Sequence, residues 1–438
     1  MARLLRLALL LLIAAPVAAQ PAPDLVRVPV DIGIWRHISI SDAIIRDTTQ
    51  RALNHVALAL PLHQAGQLEG VAVGVFGTVY EESVVGIQVS GLANVVGEDA
   101  AAVQVAGLAN VVGERAAGVQ SAGLANIAGS GMRGIQAAGL ANIIGEEGGF
   151  VQAAGLANIA GEEFRGIQAA GLANMVGEEF FGVQASGLGN IAGEDAGGVQ
   201  SAGLANIVGE RFSGVQSAGI ANITGEDLLG VQSALFNIVG ETMRGVQVGL
   251  VNVASESAGV QLGLVNVAGE QRGIPVGLYS RTGGVPVHLD VWTDETAALH
   301  VGVRSGSAAV SNYAGLSARP FADAALRWGA FAGLGFKQPL DGRTTWGLDA
   351  FAHGLFAEDF GGEPSLLVRL RGIITRQLGE RTAIFGGPAF NLFLSDENDG
   401  ESLAPFSVYD DANTDGDGGF VRMWPGLEAG LRVRITGN

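Results

Sequence analysis

The chain has 438 residues, enough for a large core, but 68 glycines and 6% aromatic residues mean that this core must be thin and built from small side chains. With 16% charged residues it is too apolar for a polar, highly charged disordered polypeptide, and a net charge of −18 with Lys337 as the sole lysine leaves no basic face for nucleic acid. Cysteine is absent, which removes disulfides, thiolate metal sites, a cysteine nucleophile and the lipobox of a lipoprotein.

Arg3 and Arg6 precede an apolar run from Leu7 to Ala15, and Val17-Ala18-Ala19 puts small or β-branched residues at the −3 and −1 positions of a cleavage site. The run is too short to span a bilayer. Residues 1–19 are therefore expected to be a secretory signal peptide that exports the chain to the cell envelope. Residues 20–69 form an entry segment of mixed character, in which Ile44 to Leu60 suits a short helix or a strand.

Residues 70–284 are a tandem array. Gln88, Gln104, Gln120 and their successors to Gln232 stand sixteen apart, and Gln247 and Gln261 follow at fifteen and fourteen. Each is followed five or six residues later by an Asn, from Asn94 to Asn266, in the phrase G-V-Q-x-x-G-L-x-N-x-x-G-E. Such a period means stacked units, each too small to bury its own apolar face. Val246, Val248, Leu250 and Asn252 alternate with Gln247, Gly249, Val251 and Val253, which is strand periodicity. The extra residue of the sixteen-residue copies, as in Gln120 to Leu124, makes a bulge or a corner.

Two architectures follow. In a parallel β-solenoid one unit is one coil, identical positions stack about 4.8 Å apart, and the amides form ladders. In an antiparallel meander one unit is one strand and identity confers no stacking. Eleven of the twelve units carry a Glu four residues after the Asn, from Glu98 to Glu270, and a parallel stack lines these up as a like-charge row that Arg115, Arg133, Arg165, Arg211, Arg244 and Arg272 are placed to counter. That row reads as a solvated acidic edge or as a polyvalent cation site. Exposed repulsion is weak in water, so the solenoid is preferred. The positive mean hydropathy leads to the further expectation that the repeat's aliphatic residues are buried.

The ends of the array depart from the phrase as caps should. Gly70 to Gly77 keeps the frame with Ala72 and Gly77 at the Gln and Asn places, and Gly273 to Ser280 keeps it with Pro275 and Ser280 there. Proline has no N–H for a ladder. From 285 to 438 the composition changes: Trp292, Tyr313, Trp328, Trp346 and Trp424 appear, and turns such as Asp341-Gly342 and Gly379-Glu380 separate alternating runs such as Val368-Arg369-Leu370-Arg371. This grammar predicts about eight antiparallel strands in a sandwich, a curled sheet or a barrel.

Asp411, Asn413, Asp415 and Asp417 place oxygen ligands at alternate positions with Gly416 sixth, as at the opening of a calcium loop. Position twelve is Arg422 where a bidentate Glu belongs and no flanking helices are evident, so a solvated loop between strands is the preferred reading over calcium. The six histidines, His37, His55, His63, His288, His300 and His353, show no zinc spacing and no nucleophile elbow accompanies them.

Gly245-Val246-Gln247-Val248-Gly249-Leu250-Val251-Asn252, repeated and closing on Gly273-Ile274-Pro275-Val276-Gly277-Leu278, resembles the bacterial surface-repeat family first defined on spirochaetal surface proteins. The resemblance extends through Leu289-Asp290-Val291-Trp292 and Trp328 to Gly335, and it departs in the sixteen-residue spacing. It implies export and a place at the cell envelope, with no established reaction or ligand. The expected protein is all-β, a tandem-repeat β-solenoid followed by an antiparallel β module. It is non-enzymatic and without cofactor other than calcium at that loop, and it presents a long regular surface to an envelope or surface partner. The alternatives are a periplasmic location and an integral outer-membrane β-barrel, with membrane association through the C-terminal module. Against the barrel stand Ile435 to Asn438, which lack a terminal aromatic residue, and repeats without aromatic girdles.

Overall fold

The computed structural model describes residues 25–34, 38–45, 50–319, 328–356, 364–395, 403, 406–412 and 420–436, and the chain divides into two compact units, Met1–Gly230 and Val231–Asn438. The expected signal peptide lies outside the described residues.

In the N-terminal unit each repeat makes one coil. Around Gln120 a longer strand, Arg115–Ala122, and a shorter one, Ala125–Ala128, meet at a bend over Gly123 and Leu124. Successive coils pair in parallel and in phase, so that Gln120 lies beside Gln136 and Asn126 beside Asn142. The array is thus a parallel β-solenoid and not a meander, and the extra residue of the phrase sits at a corner. Glycine makes this stacking sterically feasible. A Cβ on Gly129 would stand 1.8 Å from the carbonyl oxygen of Gly113, and one on Gly123 would stand 2.1 Å from that of Gly107. A third column, at Gly118, Gly134 and Gly166, takes positive φ, and Phe150 occupies it at φ 90° with nothing in the structure to explain it.

Alternation sends Gln120, Ala122, Asn126 and Ala128 inward, while Val119 and Leu124 remain 36% and 44% exposed on the outside. The expectation of buried aliphatic residues is therefore corrected. Gln and Val have opposite parity on one strand, so only one of them can face in. The amides satisfy one another inside the stack, whereas each Val and Leu outside is still shielded by its counterparts in the coils above and below.

Inside, Gln120 Nε2 donates to Gln104 Oε1 at 2.7 Å and Gln136 Nε2 to Gln120 Oε1 at 2.7 Å, a ladder that runs unbroken from Gln216 back to Gln88. The Asn ladder runs the other way: Asn110 Nδ2 donates to Asn126 Oδ1 and Asn126 Nδ2 to Asn142 Oδ1, both at 2.9 Å. The second hydrogen of Asn126 Nδ2 reaches the Ala137 carbonyl at the next coil's corner, 2.8 Å away.

Parallel pairing begins upstream of Gly70. Leu25–Gly33 pairs with Arg51–Ala59, which pairs with Gln67–Gly74, and a short helix, Ile40–Ile44, starts from a Ser39 cap. In the first degenerate coil Ala72 lies beside Gln88, but the residue beside Asn94 is Thr78, while Gly77 lies beside Ala93. The assignment of Gly77 to the Asn place was one residue short. Thr78 closes both ladders: its Oγ1 accepts from Gln88 Nε2 and donates to Asn94 Oδ1, each at 2.9 Å.

In the C-terminal unit the coils shorten, with Asn237 beside Asn252 and Asn252 beside Asn266. Pro275 lies beside Gln261 and Ser280 beside Asn266, so the array ends at the residues its sequence marks. Eight antiparallel strands follow: His288–Asp294, Leu299–Gly306, Val310–Ala318, Trp328–Pro339, Thr344–Phe356, Ser365–Gln377, Thr382–Ser395 and Phe420–Arg434. Each pairs with the next, and the eighth pairs back with the first, His288 beside Arg434 and Asp294 beside Glu428. That return pairing makes the module a closed barrel and not a sandwich or an open sheet.

Asn174 donates to Ala185 O and Asn190 Oδ1 at 2.9 Å and accepts from Asn158 Nδ2 at 2.9 Å, wholly buried. Asn174→Asp removes both donors and buries a carboxylate, and each group left unsatisfied costs about 1–3 kcal/mol. Thermal unfolding should show a large loss for Asn174→Asp and little change for Glu178→Gln on the outer edge. Equal effects would mean that the amide ladder carries no stability.

Candidate functional site

Every barrel strand alternates, and the parity is uniform around the ring. Facing in are Asp290, Arg304, Tyr313, Asp349, Arg369, Arg371, Glu428 and Arg432, all buried. Most of these charges are paired, and Arg304 donates to Tyr313 Oη at 3.0 Å. Arg432 grips Asp290 with Nε and Nη2 at 2.8 and 2.7 Å, and Arg371 donates to Asp349 at 2.9 Å and Glu428 at 2.6 Å. Arg369 reaches Glu428, Glu295 and Asn391 at 3.3, 3.2 and 2.9 Å. Aromatic rings fill the space between: Arg371 lies over the Phe351 ring at 4.4 Å, within a cluster of Trp292, Tyr313, Phe331, Phe351 and Phe385. The interior is a packed ionic and aromatic core.

The outward face is the opposite. Leu316, Leu334, Leu348, Leu370, Ile374 and Leu431 are exposed there, and no charged side chain interrupts them between the strand ends. Aromatic residues mark both ends of this band. Trp328 stands beside Phe356 at one end, and Phe336 meets Trp346 edge-on at 6.2 Å at the other. From Trp346 to Phe356 the strand runs about 33 Å, or about 25 Å along the axis at the tilt usual for such barrels.

The last coils join the barrel at one rim. Arg281 lies beside Gly306, Gly277 N donates to Asn312 Oδ1 at 2.9 Å, and Ser280 N to Ser305 Oγ at 3.0 Å. The connections at that rim, 307–309, 340–343 and 378–381, are short. Those at the far rim, 295–298, 319–327, 357–364 and 396–419, include all the long ones.

Of the candidate calcium ligands, Asp411 belongs by its backbone to the strand Tyr409–Ala412, beside Val421 at the far rim, and Asn413, Asp415 and Asp417 lie outside the described residues. Among the described residues no three His, Cys, Asp or Glu side chains converge as a metal site. Five histidines, His55, His63, His288, His300 and His353, lie on strands, and His37 lies outside the described residues. His300 stacks on Trp292 at 4.8 Å and lies 3.0 Å from Asp294. The arginines of the solenoid serve its edge: Arg115 pairs with Asp99 at 3.0 Å and Arg211 with Asp195 at 2.6 Å, one coil apart. Glu98 is held above the usual carboxylate range by burial and then by Glu114 and Glu82 in adjacent coils.

Sequence reasoning missed a polar cluster at the start of the solenoid. Asp31, Asn54 and His63 are buried together, with Asn54 Nδ2 donating to His63 Nε2 at 2.8 Å and to Asp31 Oδ2 at 3.2 Å. Burial holds the pKa of His63 below the ordinary value, outweighing the nearby Asp31 and Asp42 carboxylates. These residues sit in three different strands or loops without a repeat to flag them. Only the polar letters inside otherwise apolar strands, such as Asn54 in Leu53-Asn54-His55-Val56, mark the place.

No family model matches the chain, and neither the curated proteins nor the solved structures include a match.

Because burial holds the folded ring's pKa below that of the unfolded ring, near 6.5, stability is full above that pH and falls as the pH drops below it. Protection factors in Leu25–Gly33 and Arg51–Ala59, taken against the intrinsic exchange rate at each pH, should therefore fall between pH 7 and pH 5 in the wild type and change less in His63→Gln. In the barrel, Arg371→Leu leaves Asp349 without its cation and Glu428 with Arg369 alone, at a cost of about 3–5 kcal/mol. Denaturant unfolding should recover part of that loss in Arg371→Leu with Glu428→Gln. No recovery would mean that packing, not charge, is what Arg371 contributes.

Proposed function

We propose that this protein is an exported, non-enzymatic repeat protein held in a bacterial outer membrane by its C-terminal barrel. The observation that carries the reading is the uniform parity of that barrel: aliphatic residues outside, paired charges inside, and aromatic residues at both ends of a band about as tall as a bilayer's apolar layer. In water such a surface is a liability, and in lipid it is the required one. The aromatic girdle that the repeats lack is supplied by barrel strands. The filled interior favours an anchor over an open pore. The resemblance to surface-repeat proteins and the signal-like N-terminus support export.

The orientation of the anchor follows from its connections. Outer-membrane barrels have short turns on the periplasmic side and long loops outside. The coils of the C-terminal unit meet the barrel at the short-turn rim, through Gly277, Ser280 and Arg281. On this reading they face the periplasm, and the surface they present meets periplasmic partners.

The chain contains no cysteine, so a single introduced thiol reports its own side of the membrane. Val408→Cys, exposed at the far rim, should react with a membrane-impermeant maleimide on intact cells, and Gly342→Cys, in an open turn at the near rim, only after the outer membrane is permeabilised. The reverse pattern would overturn the orientation. Release of the protein from membranes by carbonate or urea would overturn the anchor itself.

A further inference from the structure

The N-terminal unit carries a second apolar surface, independent of the barrel. On the outer side of its long strands one column is Val or Ile in all nine coils from Ile87 to Val215, and the corner column is Leu or Ile from Leu92 to Ile220. Between them runs a column of small residues, Ser121, Ala137, Ala153, Ala169 and Ala185 in the central coils, which floors an open trough of about 680 Å³. The flanking side chains are well exposed, Ile135 at 45%, Ile167 at 47%, Leu140 at 44% and Leu156 at 44%. None of the three columns holds a charged residue in any of the nine coils, while the Glu row stands at the other corner. A contiguous apolar patch of this size marks an interaction site.

We infer that this face is the interface between two copies of the chain, packed side by side with their coils in register. Nine coils at about 4.8 Å by five residues at about 3.3 Å give roughly 700 Å² of flat face, and corrugation raises this to the approximately 800 Å² that each partner of a specific dimer buries. The relief is self-complementary. A two-fold axis parallel to the stack, placed between the small-residue column and the Leu column, sets the Leu ridge of each copy over the trough of the other. Both copies share one rise per coil, so the fit made at one coil repeats through the seven coils from Ser121 to Ser217, while Val89 and Val105 stand in the column of the first two. The pairing also turns the two Glu rows away from each other, which a chain with a net charge of −18 requires if it is to associate with itself. The same acidity argues against an anionic lipid surface as the occupant.

The axis makes a specific prediction, because Ala153 of one copy faces Leu156 of the other and neither residue faces itself. Differently tagged Ala153→Cys and Leu156→Cys chains, co-expressed at full length and oxidised in intact cells, should give a cross-linked heterodimer. Either variant alone should give at most a few per cent of that yield. Adding Ala169→Arg, which fills the trough one coil away at an outward position, should reduce the band at least tenfold while export and heat resistance of the monomer stay unchanged. No heterodimer band from exported protein overturns the interface. A strong band from one variant alone overturns the register, and a band undiminished by Ala169→Arg overturns the ridge-in-trough contact. None of these outcomes depends on the barrel, so the membrane reading stands or falls separately.

Discussion

A primary amide has two hydrogens and two lone pairs, and inside a protein each must find a partner or cost free energy. The solenoid meets this requirement by translation. At one coil per 4.8 Å, the Oε1 of one Gln arrives where the Nε2 of the next can donate to it, and the same holds for Asn. Once that spacing is set, much else follows. The corners must hold glycine, because the carbonyl of the coil below occupies the space where a Cβ would be, at 2.1 Å for Gly123. The inward positions beside the amides are small, as at Ala122, Ala128 and Val112, and larger side chains such as Met132, Phe164, Phe180 and Phe212 are buried at the start of the long strands. The Val and Leu that flank the amides, such as Val119 and Leu124, go outward.

Polar inside and apolar outside is thus the rule in both units, with different physics behind it. In the coils the buried polar groups are neutral amides that bond one another along a column. In the barrel they are full charges, which an interior tolerates only when each is matched and hydrogen-bonded. Asp290 with Arg432, and Asp349 with Arg371 and Glu428, meet that condition through side chains drawn from strands distant in sequence. The barrel interior therefore forms only when the ring has closed, whereas a coil can satisfy its amides as soon as its neighbour is in place.

That difference decides what could be read in advance. Identical letters at a fixed period dictate in-phase stacking, so the parallel coil and the ladder positions at Gln120 and Asn126 were legible, as were the ends at Pro275 and Ser280. Sidedness was not. A period of two says that Val119 and Gln120 face opposite ways but not which faces in, and mean hydropathy pointed to the wrong one. Thr78 was missed because a hydroxyl can replace an amide at the end of a ladder, where only one partner remains to be satisfied. In the C-terminal module the alternation at Val368 to Arg371 and the number of strands were visible. Closure was not, since it rests on His288–Asp294 meeting the strand Phe420–Arg434 across nearly the whole module. The Asp31, Asn54 and His63 cluster unites segments that share no pattern.

The two ladders also run in opposite senses, and this removes a difficulty that a single column would create. Each Gln donates toward the N-terminal coil and each Asn toward the C-terminal coil, as in Gln136 to Gln120 and Asn126 to Asn142. A column of aligned amides gains from mutual polarisation but accumulates a dipole along its length. Two antiparallel columns in one core keep the first effect and cancel the second, so adding a coil adds hydrogen bonds without adding an uncompensated field. Stability then grows by nearly equal steps from neighbour to neighbour. What limits the array is its ends, where a donor or an acceptor would be left over. Thr78, which both accepts and donates, resolves that for both ladders in the N-terminal unit; in the C-terminal unit Ser280 accepts from Asn266, while Gln261 Oε1, beside Pro275, is left without a partner. A hydroxyl suits both places because it can be donor or acceptor as the last amide demands.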